Sequence, residues 1–353
     1  MKVLDERRFC RVFSYLLSPL SFLYFLFFSI YRWSFKCNIK KRQKFNGRVL
    51  SVGNLTVGGT GKTPFVIFLA KLLSKNSKRS VIVTRGYKRR EKDSLIDISS
   101  LADTRGIGDE PWLMSKNARV PIVVASNKAE GCRYAIEKYE PEFIILDDGF
   151  QSFQIEREFD IILLDATDIL TGGFLLPAGR WREPVRAAKR ADIIIITRCD
   201  QIAEEKLKDY ILRLKRLTQG KPILCSVHKP LHLEKIPDEE IVDIERLRGK
   251  KILALCSIGN NNSFIETLKM LDFSIECSLC FLDHHMYSRK DIEKIKNIVK
   301  VKQIDAVVTT QKDMYSLKAY ASEFEIAVYS LFIEISLKNM GKFETVLKER
   351  GVI

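Results

Sequence analysis

The sequence predicts an α/β protein with a mainly parallel sheet, helices on both of its faces, a smaller second α/β lobe and a separate N-terminal helix. Three observations predict it. A short apolar strand at 48–53 runs into a glycine-rich loop and then a helical stretch from Pro64. Strand-like apolar runs near 48–53, 79–84, 120–125, 143–147, 160–165 and 192–197 alternate with helical stretches such as 64–75, 128–138 and 202–217, the pattern of a parallel sheet. A second set then begins at Lys251, with a helix from about 263, strands near 275–281 and 305–309, and a terminal helix after about 340.

The 353 residues are enough for two globular units, and 46% apolar residues are enough for ordinary cores. The expected divisions are an N-terminal anchor and basic flank at 1–47, a core at 48–226, a polar linker at 227–248 and a C-terminal lid lobe at 249–353.

Val12 to Tyr31 carry no charge, and a helix of that length would reach ~30 Å, the thickness of a bilayer core. Pro19 and four serines weaken its drive to insert, so spanning the bilayer and lying in its interface both remain open. Arg32, Lys36, Lys40, Lys41, Arg42 and Lys44 follow directly and place the remaining chain on the cytoplasmic side. A cleaved leader fits poorly with the length of the apolar run and its basic far flank. The net charge of +15 suits an anionic surface or a phosphorylated substrate, and its crowding beside the apolar run favours an anionic membrane over nucleic acid. The eight cysteines show no paired spacing beyond Cys277 and Cys280, so they read as buried or free thiols in a reducing compartment.

The loop Thr56-Val57-Gly58-Gly59-Thr60-Gly61-Lys62-Thr63 lies between strand and helix, as a phosphate-binding loop must. Its glycines let backbone N–H groups converge on phosphate oxygens ahead of a helix N-terminus. Lys62 would reach the β- and γ-phosphates of ATP, and the Thr63 hydroxyl would bind Mg²⁺. Thr56 stands where the usual spacing places the first glycine. The fold class is therefore P-loop NTPase-like.

Phe143 to Leu146 end in Asp147 and Asp148, an apolar strand delivering carboxylates beside the Mg²⁺ of such a loop. Asp165 ends a similar run and reads equally well as a loop acid. Asp109 and Glu110 precede a helix, where they serve either to stabilise its N-terminus or to receive a proton. His284 sits in an Asp-His-His cluster at a strand end, which suits proton transfer better than metal binding.

Assembled, Gly53-Asn-Leu-Thr-Val-Gly-Gly-Thr-Gly-Lys-Thr-Pro64, Thr84-Arg-Gly-Tyr87, Gly108-Asp-Glu-Pro111, Asp147-Asp-Gly-Phe-Gln151, Leu176-Pro-Ala-Gly179, Arg182-Glu-Pro184, Asp283-His284 and Thr309-Thr-Gln-Lys-Asp313 make the chain resemble the tetraacyldisaccharide 4′-kinase family over nearly its whole length. The resemblance implies transfer of the ATP γ-phosphate to the 4′-hydroxyl of a lipid disaccharide 1-phosphate, a lipid A precursor, at the cytoplasmic face of the inner membrane. It implies that Asp147, Asp148, Gln151 and Glu183 join Thr63 around metal and phosphate. It also implies that Asp109 with His284 accepts the hydroxyl proton and that Arg182 steadies phosphate charge. No nucleic acid and no obligate protein partner are expected. The sequence departs from the family at Ser152, Lys88 and Gln311, where histidine, glycine and glutamate are usual. The rival reading is a membrane-attached P-loop switch ATPase, against which Val57 stands where such loops carry a signature lysine.

Overall fold

The computed structural model describes residues 2–86, 94–101, 106–169 and 174–353, without the side chains of 2–13 and 169. Tyr87 and Lys88 lie outside the described residues. A long helix, α1 (Lys2–Lys36), leads into β1 (Arg48–Asn54), α2 (Lys62–Lys75), β2 (Ser80–Thr84), β3 (Leu95–Asp97), α3 (Asp109–Asn117), β4 (Ile122–Ala125), α4 (Lys128–Tyr139) and β5 (Phe143–Asp147). There follow β6 (Phe159–Asp165), a single turn α5 (Ala166–Ile169), β7 (Ile193–Thr197), α6 (Glu204–Leu217), β8 (Ile223–Ile236) and β9 (Glu240–Val242). The chain ends with β10 (Lys251–Cys256), α7 (Asn261–Met270), β11 (Ser274–Cys280), α8 (Arg289–Lys302), β12 (Ala306–Thr310), α9 (Gln311–Leu317), β13 (Ala327–Leu337) and α10 (Met340–Glu349).

Among the described residues the strands form one sheet in the order β11-β10-β12-β13-β8-β7-β6-β1-β5-β2-β4-β3, with β9 beside β8. Parallel pairing dominates, and β1 lies between β5 and β6. Residues 50–54 are buried, as expected of a strand covered on both faces. Helices cover both faces. Phe65 of α2, Met114 of α3, Ile295 of α8, Met314 of α9 and Phe343 of α10 belong to one core that runs under both strand sets, while α4, α6 and α7 pack into separate clusters.

One expectation is corrected and one open choice narrows. Residues 227–248, read as a linker, contain most of β8, β9 and a short 3₁₀ turn at Ile244–Leu247. β8 pairs parallel with β7 through Ile223–Cys225 and antiparallel with β13 from Ser226 to Ile236, so the two strand sets share one sheet. Pro230 masks this strand in the sequence. It is tolerated because the ladder shifts register there, a bulge that leaves Leu231 unpaired.

For α1, where the sequence leaves spanning and lying in the interface both open, the finding is that among the described residues no helix is long and apolar enough to cross a membrane. The helix instead lies along the core. Ser21 Oγ donates to Leu175 O, Tyr24 OH donates to Arg182 O, and Phe28 and Phe35 pack on Phe153. Leu16, Leu20, Leu23, Phe27 and Ile30, spaced three and four apart, are exposed. That spacing puts them on one stripe facing away from the protein.

Candidate functional site

Gly61 is the N-cap of α2 at φ 85°, a left-handed conformation that side chains disfavour, and a Cβ there would meet Nε2 of the buried His228 at 3.0 Å. The loop is pinned from both sides. Thr60 Oγ1 accepts from Asn54 Nδ2 at 3.0 Å, Thr60 O accepts from Thr197 Oγ1 at 3.1 Å, and Val57 N donates to Arg180 O at 2.8 Å. Thr56 is buried and forms a bridge to Trp181, which anchors the start of the loop without the usual glycine. The second strand set reaches the same loop, since a Cβ at Gly259 would run into the Gly59 amide.

At the end of β5 two adjacent acids have opposite environments. Asp147 is buried, accepts from Thr84 Oγ1 at 2.8 Å through Oδ2, and among the described residues its Oδ1 has no hydrogen-bond partner. Burial, with Glu110 and Asp148 nearby, pushes its carboxyl up to about 6. Asp148, at φ 52°, turns toward cations instead. Arg182 Nη1 donates to both of its oxygens at 2.9 and 2.7 Å, and Lys62 Nζ stands 3.6 Å away. Burial alone would raise the Asp148 carboxyl, but Lys62, Arg182 and Lys128 together hold it well below the usual range.

The other expected metal-side residues form a supporting group. Gln151 Nε2 donates to Asn54 O and to Glu183 Oε1, both at 3.0 Å, and the buried Glu183 is clasped by Arg190 at 2.6 and 2.9 Å. Glu183 is thus committed to positioning Gln151 beside the loop. Among the described residues, no three His, Cys, Asp or Glu side chains converge as a metal site. Asp147 Oδ1, without a hydrogen-bond partner among the described residues, would suit a hard cation held by one or two protein oxygens and by phosphate, the expected second oxygen being that of Thr63.

Across from the loop, His284 Nδ1 lies 2.9 Å from Asp109 Oδ2 and 3.1 Å from Oδ1, although 175 residues separate them. Asp109 opens α3 behind the Gly108 N-cap, and His284 is held at φ 59° with its amide donating to Ser257 O. Such a conformation in a non-glycine residue is retained only where surrounding contacts enforce it. Burial pushes the Asp109 carboxyl up, but the His284 hydrogen bond and the Lys312 charge outweigh it and hold the group below its ordinary value.

Three neighbours escaped the sequence reading. Lys128, the first residue of α4, is half-buried and its Nζ donates to Asp148 O at 2.5 Å; the Asn127 cap announces the helix but not where this side chain goes. Arg180 donates to Val57 O, and His228 abuts Gly61, contacts that only the folded sheet creates.

A family model described as tetraacyldisaccharide-1-P 4′-kinase matches residues 13–351. A tetraacyldisaccharide 4′-kinase of Halothermothrix orenii is 35% identical over 348 residues, covering 93% of this chain and 90% of that protein. One from Bdellovibrio bacteriovorus is 33% identical over 327 residues, with 91% and 94% covered. A crystal structure of LpxK from Aquifex aeolicus in complex with ATP superposes with a TM-score of 0.73 at 30% identity, over 96% of this chain and 99% of that one.

Proposed function

The chain belongs to the tetraacyldisaccharide-1-P 4′-kinase family, and from that premise we propose how its residues divide the work of transferring the ATP γ-phosphate to the 4′-hydroxyl of a tetraacylated disaccharide 1-phosphate. The observation that carries the reading is the 2.9 Å pairing of Asp109 with His284 on the far side of the loop that holds Lys62. A nucleotide-binding loop alone explains ATP; a half-buried carboxylate and imidazole beside it explain an acceptor hydroxyl.

The loop amides from Val57 to Thr63, with Thr56 anchoring the turn, cradle the donor phosphates. Lys62 and Arg182, oriented by Asp148, offset the charge that spreads over the phosphoryl oxygens. Thr63 and Asp147 would hold Mg²⁺, which neutralises phosphate charge when bound. Gln151, held by Glu183, lines this side. The 4′-oxygen forms a bond to the γ-phosphorus, the bond from that phosphorus to the β–γ bridging oxygen breaks, ADP leaves, and the hydroxyl proton passes to the Asp109–His284 pair. The C-terminal lobe acts as a lid that brings His284 to Asp109. The exposed stripe of α1 lies in the interface of the inner membrane, on its cytoplasmic face, where the basic residues from Arg32 to Lys44 meet anionic headgroups.

The test is ATP-dependent phosphorylation of tetraacyldisaccharide 1-phosphate in detergent micelles. Wild type forms the bisphosphorylated lipid, and Asp109→Ala loses about 10²–10⁴-fold in rate with its fold retained by circular dichroism. Rapid ATP hydrolysis without lipid and no lipid product would select the switch ATPase instead.

A further inference from the structure

The Thr309-Thr-Gln-Lys-Asp313 stretch has no part in the steps above, yet its lysine lies against the acceptor pair. Thr310 caps α9 by accepting from the Asp313 amide, and this fixes the first helical turn on which Lys312 stands. Lys312 Nζ donates to Asp283 Oδ1 at 2.9 Å and lies 3.1 Å from His284 Nε2. Asp109 Oδ2 and Glu110 Oε1 are 3.7 and 3.6 Å from the same nitrogen. Burial alone would favour the neutral amine. Glu110, Asp109 and Asp283 reverse this and raise the lysine above its ordinary value, so the group is an ammonium.

An ammonium has three protons and no lone pair. Where it meets an imidazole nitrogen within hydrogen-bond reach, that nitrogen must accept, and the ring proton of a neutral imidazole must then sit on the other nitrogen. Here the other nitrogen is Nδ1, which faces Asp109. We propose that Lys312 is a positioning residue for phosphoryl transfer, holding His284 in the tautomer protonated on Nδ1 and so presenting Asp109 as an ionised acceptor to the lipid hydroxyl. This rests on the reading of Asp109 and His284 as the pair that receives the hydroxyl proton.

The arrangement has a charge consequence. Asp109 is faced by His284 from the loop after β11 and by Lys312 from α9, and the same ammonium is faced by Glu110 from the helix of Asp109 and by Asp283 from the loop after β11. Removing the lysine leaves three carboxylates with one imidazole among them. The Asp109 carboxyl then rises, because the Lys312 charge, which ranks after the His284 hydrogen bond among the influences that lower it, has gone. Arginine at 312 keeps the charge, with a bulkier head.

Lys312→Met, Lys312→Gln and Lys312→Arg separate these roles. In enzyme labelled with ¹⁵N-histidine and assigned with His284→Gln, wild type shows the neutral Nδ1-protonated pattern for His284, Lys312→Arg keeps it, and Lys312→Met loses it. In lipid phosphorylation the acid limb of kcat/KM moves to higher pH in Lys312→Met and Lys312→Gln, with a loss of about tenfold at the acid end, and stays in place in Lys312→Arg. Should the methionine variant fail to fold, the glutamine variant carries both readouts. Wild-type His284 resonances and an unshifted acid limb in a folded, uncharged variant overturn the proposal, whatever happens to kcat. Wild-type activity in Asp109→Ala would instead remove the reading on which it rests, a result distinguishable because the ¹⁵N pattern needs no lipid.

Discussion

The Gly58–Thr63 loop and the cluster of Asp109, His284 and Lys312 adjoin each other but are built by different means. The loop is local: six successive residues, a strand before them and a helix behind, with its proposed function residing in backbone N–H groups and one lysine. The cluster is assembled from the start of α3, the loop after β11 and the start of α9, and its proposed function resides in side chains that meet only when the sheet is complete. The difference teaches where each half is vulnerable. Damage to the loop should weaken nucleotide binding and transfer together, whereas damage to the cluster should spare the donor and disable the acceptor.

The largest expected effect is at Lys62. Lys62→Ala should lower kcat by about 10²–10³-fold and weaken ATP as well, because in the proposed reading this side chain binds the donor phosphates. Retention of full ATP affinity, read by calorimetric titration, would detach Lys62 from the donor side. Next is Gly61→Ala. A side chain in a left-handed conformation against His228 should cost about 1–3 kcal/mol of stability and loosen ATP binding, read by urea unfolding and titration.

The pH profile sharpens the other side of the comparison. Asp109 has a depressed folded value, so its ionised form, and the stability linked to it, are present above the unfolded value and are lost as pH falls through the folded one. The acid limb of kcat/KM should therefore lie low in wild type. His284→Gln should move it upward, since the hydrogen bond to His284 leads the influences that lower Asp109. The smallest effect belongs outside both regions. Ser288 and Asp291 form a capping box at the start of α8, and Ser288→Ala should cost about 1 kcal/mol in unfolding with kcat unchanged.

The same contrast explains what the sequence could tell. The parallel strands β1, β2, β4, β5, β6 and β7 are legible because buried runs such as Phe143–Asp147 are continuous and bounded, and the loop is legible because its chemistry is contiguous. β8 was hidden by Pro230, whose cost disappears at a bulge visible only once β13 is beside it. α8 carries a full capping-box signature and was within reach of the sequence. Asp109, His284 and Lys312 are legible from their motifs, but nothing in the sequence announces that Lys312 meets Nε2 of His284 while Asp109 meets Nδ1, or that Glu183 is held by Arg190 and Gln151. Burial of α1 on one face was equally out of sight, because Ser21 and Tyr24 bond to carbonyls more than 150 residues away.

The central claim is that acceptor activation by Asp109 with His284 is separate from donor binding by the loop. Single-turnover transfer to tetraacyldisaccharide 1-phosphate by Asp109→Asn, with ATP affinity measured on the same protein, tests it most directly. The account predicts ATP affinity within about threefold of wild type and a transfer rate lower by at least about 10²-fold. Affinity and rate falling together, or a transfer rate near that of wild type, would contradict it.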